Sequence, residues 1–258
     1  MKTPNLLAFV FSMLVTGSLL QAQIPKTSLA DFSGTDWKLV KAAKSNIENL
    51  QGLAMPELVK MLDNTEKKKL ENTGSLIYPG AEKFFGHGQI IDYDIDYLSI
   101  RAGWLIEEIS FNNFGFSGIH LPKDELITHI KVTFPAYYNN TTNRKKLETA
   151  TEAMLREIAQ ALAVKAAKAW WEEYGKNFTR LQSLVDALKS FDEKRQVKAL
   201  FYLRNGTTKC DDLTRDYYYE EISKEIVRLS GSDVQRISEN AKLILLDSKL
   251  EWLSLKTE

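Results

Sequence analysis

One stretch of the chain decides the fold: residues 84–116, which read FFGHGQIIDYDIDYLSIRAGWLIEEISFNNFGF. It joins an irregular segment rich in Gly to a segment in which apolar residues recur at helical spacing. These apolar residues are Leu98, Ala102, Leu105 and Ile109. The spacing predicts a helix over 97–110 with one buried face. The Asn, Gly and Phe residues that follow predict a turn packed by aromatic rings.

The remainder of the chain outlines a mostly α fold. Residues 73–95 contain Pro79 and several glycines, which predicts one long irregular loop before the central helix. Loops of this length inside a compact domain are usually functional or packed by their own side chains. Elsewhere apolar residues recur mainly at helical spacing, and the longest predicted helix covers 143–174.

Three aspartates alternate with apolar residues just before the central helix: Asp92, Asp94 and Asp96. In a strand they would share one face, and a calcium ion needs several oxygens at about 2.3–2.6 Å. They are therefore a candidate metal site, although no Gly follows at the sharp turn that a calcium loop needs. In the favoured interpretation no metal or other cofactor is expected, and Asp96 is the N-cap of the helix.

A catalytic alternative rests on His87, which lies between two glycines, and on Glu107 in the central helix. A histidine near carboxylates can act as a general base, but a hydrogen-bonded structural histidine is the favoured interpretation. Glu107 and Glu108 point about 100° apart on a helix, so they are not expected to act as a carboxylate pair. The sequence contains no Ser nucleophile elbow, HExxH, Walker loop or CxxC motif.

Four residues are candidates for binding a partner: Arg101, Trp104, Trp170 and Trp171. Arg101 has no acid three or four residues away within its helix, so an ion pair with a neighbouring helix or with the upstream aspartates is expected. An exposed Trp can mark a sugar or partner surface, although packing against a helix is its commoner fate. Trp170 and Trp171 point in different directions, so at least one is expected to be partly exposed.

The N-terminus resembles a secretory signal, with Lys2, an apolar run over 6–20 and the small residue Ala22. We therefore expect a signal peptide over 1–22 and a single α-helical domain over 23–258 in a secreted or periplasmic protein. No second long apolar segment exists, so no stable membrane insertion is expected after cleavage.

The overall charge narrows the classes of partner. The formal net charge is +0, so the chain has no basic excess that would attract nucleic acid. A single cysteine rules out an intrachain disulfide, and stability must come from packing.

Two segments resemble helical-hairpin repeats of the HEAT type. The first covers Leu181–Leu203, with a first helix through Leu188 and a second that opens at Asp192. The central stretch resembles the second helix of such a unit, through Asp96, Ile100, Arg101, Ala102 and Leu105. The resemblance implies stacked helical hairpins in which Asp96 and Arg101 help to hold adjacent repeats together. The chain also resembles exported bacterial proteins with a similar RAGW-like helix followed by FGF. This resemblance gives no indication of an activity.

The favoured function is an exported, non-catalytic helical scaffold or protein-binding module, which implies a protein partner. The alternative is an envelope-polymer hydrolase or a metal-binding protein that uses residues 86–108. A third possibility is a carbohydrate or small-ligand binder that uses the tryptophans. An enzyme predicts His87 and at least two carboxylates that converge in a cleft. A scaffold predicts structural roles for those acids and an apolar patch elsewhere on the surface.

Overall fold

The structure is a computed structural model that describes residues 25–81, 88–206, 210 and 212–246. These residues are mostly α-helical, which confirms the fold class. The HEAT-like stacking of hairpins stays a prediction. The predicted signal peptide over 1–22 lies outside the described residues.

The helices before the central one are short, and the helices after it include the longest of the described chain. In the first half they are α1 (Lys26–Phe32), α2 (Trp37–Glu48), α3 (Met55–Met61), α4 (Leu98–Ser110), α5 (Lys123–Thr133), α6 (Pro135–Asn139), α7 (Thr141–Thr149) and α8 (Glu152–Tyr174). In the second half they are α9 (Arg180–Lys189), α10 (Glu193–Asn205), α11 (Arg215–Tyr217), α12 (Ser223–Ser230) and α13 (Gln235–Leu246).

The predicted irregular loop lies between α3 and α4. Within it two short parallel strands pair, β1 (Leu76–Ile77) and β2 (Gln89–Ile90). The segment with the three aspartates is not a strand. It turns twice, through hydrogen bonds from the Ile95 amide to the Tyr93 carbonyl and from the Tyr97 amide to the Asp94 carbonyl.

Helix α4 is the centre of the molecule and begins one residue after the predicted position. It packs against α2, α3, α8 and α9, and every residue in it except Glu108 is buried. The predicted stripe is therefore buried, together with the opposite face, as in helices that are enclosed by other elements. Gly103 allows this enclosure, because a Cβ there would lie 2.5 Å from the ring of Phe116.

The buried apolar residues form two clusters, one built mainly from α1–α8 and one from α9–α13. Phe111, directly after α4, inserts into the second cluster against Tyr202, with ring centroids 5.1 Å apart. Its φ of 52° is left-handed, which costs an L-residue about 1–2 kcal/mol. Burying a Phe side chain contributes about 1.5–3 kcal/mol, which is enough to offset a strain of this size.

The long helix predicted over 143–174 is divided in the structure. Ala150 takes an extended backbone conformation with ψ 148° and ends α7. Thr151 then caps α8, because its side chain accepts a hydrogen bond from the Met154 amide at 3.3 Å. The helical spacing of apolar residues continues across this break, which explains why the sequence pattern missed it.

A buried ion pair joins the two halves of the molecule. The Arg180 guanidinium of α9 donates to the Glu48 carboxylate of α2 at 2.6 Å, and Lys44 donates to the same carboxylate at 2.6 Å. Burial alone would raise the pKa of Glu48, but the charges of Lys44 and Arg180 outweigh it and hold the pKa below its ordinary value of 4.5.

Glu48→Gln should lower the free energy of unfolding by about 3 kcal/mol at pH 7, because it removes the negative charge to which the buried Arg180 guanidinium and Lys44 donate. Since the folded pKa of Glu48 is depressed, its contribution is fully present above pH 4.5 and is lost as the pH falls through the folded pKa. The difference between the wild type and the variant should therefore shrink in acid. Urea unfolding at neutral and acidic pH measures it.

Glu57→Gln is the matched control, because Glu57 accepts from Lys60 at the same 2.6 Å on the exposed surface. It should change the stability by less than about 0.5 kcal/mol at either pH. A loss for Glu48→Gln that stays constant down to strongly acidic pH would contradict the assigned pKa shift.

Candidate functional site

Arg101 of α4 holds three separate segments through backbone carbonyl groups. Its fully buried guanidinium donates to Phe32 and Ile95 at 2.7 Å, to Gly34 at 2.8 Å and to Lys68 at 3.4 Å. Burial lowers the pKa of Arg101 to about 10, so it remains charged at pH 7. The ion pair expected for this residue is replaced by these carbonyl contacts. Because the side chain faces the interior, its position does not support a direct role in binding a partner.

Asp96 does not cap α4, and that prediction is wrong. The N-cap is Tyr97, whose side chain makes no cap hydrogen bond. The buried Asp96 carboxylate points into the loop, where it accepts from the Leu70 amide at 2.9 Å and the Tyr78 hydroxyl at 2.8 Å. Lys69 lies 3.6 Å from its second oxygen. Asp96 is therefore a brace for the long loop.

The three aspartates do not converge as metal ligands would. Asp92 is exposed, Asp94 is half-buried and Asp96 is buried. Burial and the neighbouring Asp96 charge raise the pKa of Asp94. Among the described residues, no group of three or more His, Cys, Asp and Glu side chains is arranged to hold a metal ion. The structure therefore gives the alternative metal site no support.

Glu107 is fully buried, and both of its oxygens are occupied. One accepts from the amides of Phe114 at 2.7 Å and Phe116 at 3.3 Å. The other accepts from the Tyr93 hydroxyl at 2.6 Å and from Lys198 of α10 at 2.7 Å. Through these hydrogen bonds the Glu107 carboxylate connects three segments: the long loop, the turn after α4, and helix α10.

Tyr93 and Lys198 complete this network. Burial, reinforced by the Glu107 charge, raises the pKa of Tyr93 well above its usual range, so the phenol keeps its proton and donates it. Lys198 also donates to the Tyr93 oxygen at 3.0 Å and to the Asn112 carbonyl at 3.1 Å. An ammonium has three N–H donors, and these three acceptors account for them. The arrangement is a satisfied structural network that leaves Glu107 without a free oxygen for catalysis. His87, its proposed partner, lies outside the described residues.

Trp104 is buried, and Trp170 and Trp171 are packed against neighbouring side chains. Trp104 is 4% exposed and lies beneath Lys44, whose ammonium is 5.2 Å from the ring centroid. Trp170 and Trp171 are half-buried. The Trp170 ring contacts Phe178 with centroids 5.5 Å apart, and Trp171 borders a depression of about 250 Å³. Their positions agree with the commoner fate of Trp, which is packing against neighbouring elements.

A larger concave surface lies between α5 and the turn that joins α9 to α10. We call it the α5–α10 groove; its volume is about 980 Å³. Its apolar residues are Leu121, Val132 and Phe191, and its charged residues are Asp124, Glu125, Asp192, Glu193 and Lys194. Val132 is 73% exposed and Phe191 is 102% exposed. Two large apolar side chains therefore lie exposed at the rim of the groove.

The wall and floor of the groove are fixed by hydrogen bonds. The side-chain amide of Asn113 donates through Nδ2 to Oδ2 of Asp192 at 3.3 Å, which connects the turn after α4 to the start of α10. The His129 ring, buried beneath the groove, bonds to the Gly115 carbonyl through Nε2 at 2.9 Å. Burial lowers the pKa of His129, so its ring is neutral at pH 7. The site is therefore largely preformed.

The sequence analysis missed Phe191, although a local signal exists. Phe191 directly precedes Asp192, the N-cap of α10, whose side chain accepts from the Arg195 amide at 3.1 Å. An apolar residue before the N-cap usually packs on an apolar residue four positions into the helix, as a hydrophobic staple. That position is Gln196 here, so the sequence offers Phe191 no local partner. An aromatic residue directly before an N-cap, with a polar residue at the fourth helical position, is therefore the sequence signal for an exposed ring.

The chain matches no protein-family model, no curated protein and no solved structure. The resemblances to HEAT-like repeats and to exported bacterial proteins therefore stay predictions. No helix within the described ranges is long and apolar enough to cross a lipid bilayer. The fold is mostly α, and the α5–α10 groove is an open concave surface on it.

Glu107→Gln should lower the free energy of unfolding by about 3 kcal/mol, because Lys198 loses its charge partner in a largely buried position. Replacing both residues, as in Glu107→Gln/Lys198→Met, should recover part of that loss, since no uncompensated charge then remains. Urea unfolding monitored by Trp fluorescence provides the measurement.

The neighbouring Glu108→Gln is the control, because Glu108 is partly exposed and lies 4.0 Å from Lys44. Its effect should stay within about 0.5 kcal/mol. Equal effects at the two positions would show that the network around Glu107 is not the brace described above.

Proposed function

We propose that this chain is an exported, non-catalytic helical scaffold that binds a protein partner in the α5–α10 groove. The observation that carries the proposal is the side chain of Phe191, which is 102% exposed at the rim of a groove of about 980 Å³. Aromatic residues, Phe included, are enriched at protein interfaces relative to the rest of the surface. An exposed ring beside Val132 therefore supports a docking role.

The shape of the groove favours a segment of a protein over a small molecule. Small-molecule sites enclose most of the surface of their ligand, whereas the apolar groups of this groove lie at an open rim. Val132 and Phe191 are more than half exposed, so a ligand would cover them from outside. A peptide segment laid between two helices makes that kind of contact.

A catalytic function draws no support from the described polar residues. The oxygens of Glu107 are occupied by four donors, and Oδ1 of Asp96 accepts from Leu70 and Tyr78 in the long loop. Their burial and hydrogen bonding are accounted for by the fold itself. The proposal therefore places the function on the surface, away from the central helix.

Phe191→Ala should weaken the binding of peptides that are selected from a random library on the immobilised protein. Losing contact with a buried Phe side chain removes about 1.5–3 kcal/mol, which corresponds to roughly tenfold or more in Kd. Fluorescence polarisation with labelled selected peptides gives the Kd values.

Phe201→Ala is the matched control, because Phe201 lies on α10, the helix that follows Phe191, is 60% exposed and does not line the groove. It should leave the Kd within about twofold, and neither variant should lower the melting temperature, since both rings are exposed. Selected peptides that bind both variants as tightly as the wild type would refute the groove as the binding site.

The export part of the proposal rests on Lys2 and the apolar run over 6–20. In a bacterial host, the full chain should appear in the periplasm or medium as a shortened protein, while a chain that lacks 1–22 should stay in the cytoplasm. Cell fractionation and N-terminal sequencing check this. Retention of the full, uncut chain in the cytoplasm would contradict it.

A further inference from the structure

We infer that the α5–α10 groove takes a basic segment of its protein partner, in which Lys or Arg residues flank a bulky apolar side chain. The inference rests on the function proposed above and names the chemistry of the partner. It is drawn from the charges around the groove and from their placement about Phe191.

The charge of the groove is negative. Its lining carries the carboxylates of Asp124, Glu125, Asp192 and Glu193 against the single ammonium of Lys194. The buried His129 adds no positive charge at neutral pH, because burial lowers its pKa. A partner that enters this groove therefore meets an excess of carboxylates.

Helix termini reduce this negative charge but do not cancel it. Asp124 and Glu125 lie in the first turn of α5, and Asp192 and Glu193 lie at the start of α10. Each helix N-terminus carries roughly half a positive elementary charge. The two termini together offset about one carboxylate, so the groove remains negative.

The apolar part of the groove defines the centre of the partner segment. Leu121, Val132 and Phe191 offer apolar contact beside the carboxylates. Lys and Arg side chains suit such a mixed surface, since their apolar stems pack along it while their charged ends reach the acids. A bulky apolar residue between them would cover the Phe191 ring, which water otherwise surrounds.

Because the groove is held by Asn113 and Asp192, little ordering is needed on this side of the interface. Preorganisation of this kind raises affinity by lowering the entropic cost of binding. The charges add rate and specificity, since complementary potentials steer the encounter and disfavour acidic partners.

The test uses two fluorescein-labelled synthetic peptides with the same Trp and Leu positions. All remaining positions are Lys in one peptide and Glu in the second. The Lys peptide should bind the full wild-type chain at least about tenfold more tightly than the Glu peptide, and more tightly at low salt than at 0.15 M, where the Debye length is about 8 Å.

Charge reversal then locates the contact. Glu125→Lys/Glu193→Lys should weaken the Lys peptide by about tenfold or more. Glu148→Lys/Glu239→Lys is the control, because it changes the net charge equally at exposed positions outside the groove lining. It should change the Kd by less than about threefold, through long-range charge alone.

The outcomes separate this inference from the proposed function. Selected library peptides that depend on Phe191 but carry no excess of Lys and Arg would overturn the inference and leave the function standing. Equal binding of the Lys and Glu peptides through Phe191 would do the same. If neither synthetic nor selected peptides depend on Phe191, both proposals fail. Concentration-dependent dimerisation that Phe191→Ala abolishes would assign the groove to a second copy of the chain and overturn the basic partner.

Discussion

Arg101 and Glu107 place a guanidinium and a carboxylate in a helix that other elements enclose. An unpaired buried charge costs several kcal/mol, so the chain has to bring partners to both. The Arg101 guanidinium donates hydrogen bonds to carbonyl groups of the α1–α2 turn and of the long loop. The Glu107 carboxylate accepts hydrogen bonds from the turn after α4, from Tyr93 and from Lys198. The two residues thereby organise the packing of segments that have little regular structure of their own.

This arrangement explains why the charged side chains of Asp96, Arg101 and Glu107 are buried and do not line an exposed cleft. Catalytic residues and buried structural residues share the same chemistry, since both need charged groups in a sheltered environment. What distinguishes them is whether any oxygen or proton is left for a substrate. The Glu107 carboxylate accepts from four donors, and the Tyr93 phenol is held protonated by its surroundings. The network stabilises one conformation, and a rigid frame of this kind suits a binding scaffold.

The α5–α10 groove lies where this frame reaches the surface. The turn after α4, fixed through Glu107, also carries Asn113, which holds Asp192 at the start of α10. The position of Phe191 is therefore linked to the central network by a short chain of hydrogen bonds. A surface that is positioned in this way can keep an aromatic ring exposed without losing its shape, and the proposed binding of a partner segment depends on that property.

The sequence by itself determined the mostly α fold, the limits of α4 to within one residue and the irregular loop before it. These features depend on helical spacing, glycines and proline, which act over a few residues. Only the tertiary structure decided that Asp96 braces a loop rather than capping α4, that Arg101 binds carbonyl groups, and that Phe191 borders a groove. The Phe32 carbonyl lies 69 positions from Arg101 along the chain. Contacts over such distances leave no local pattern, because they depend on how distant segments pack together.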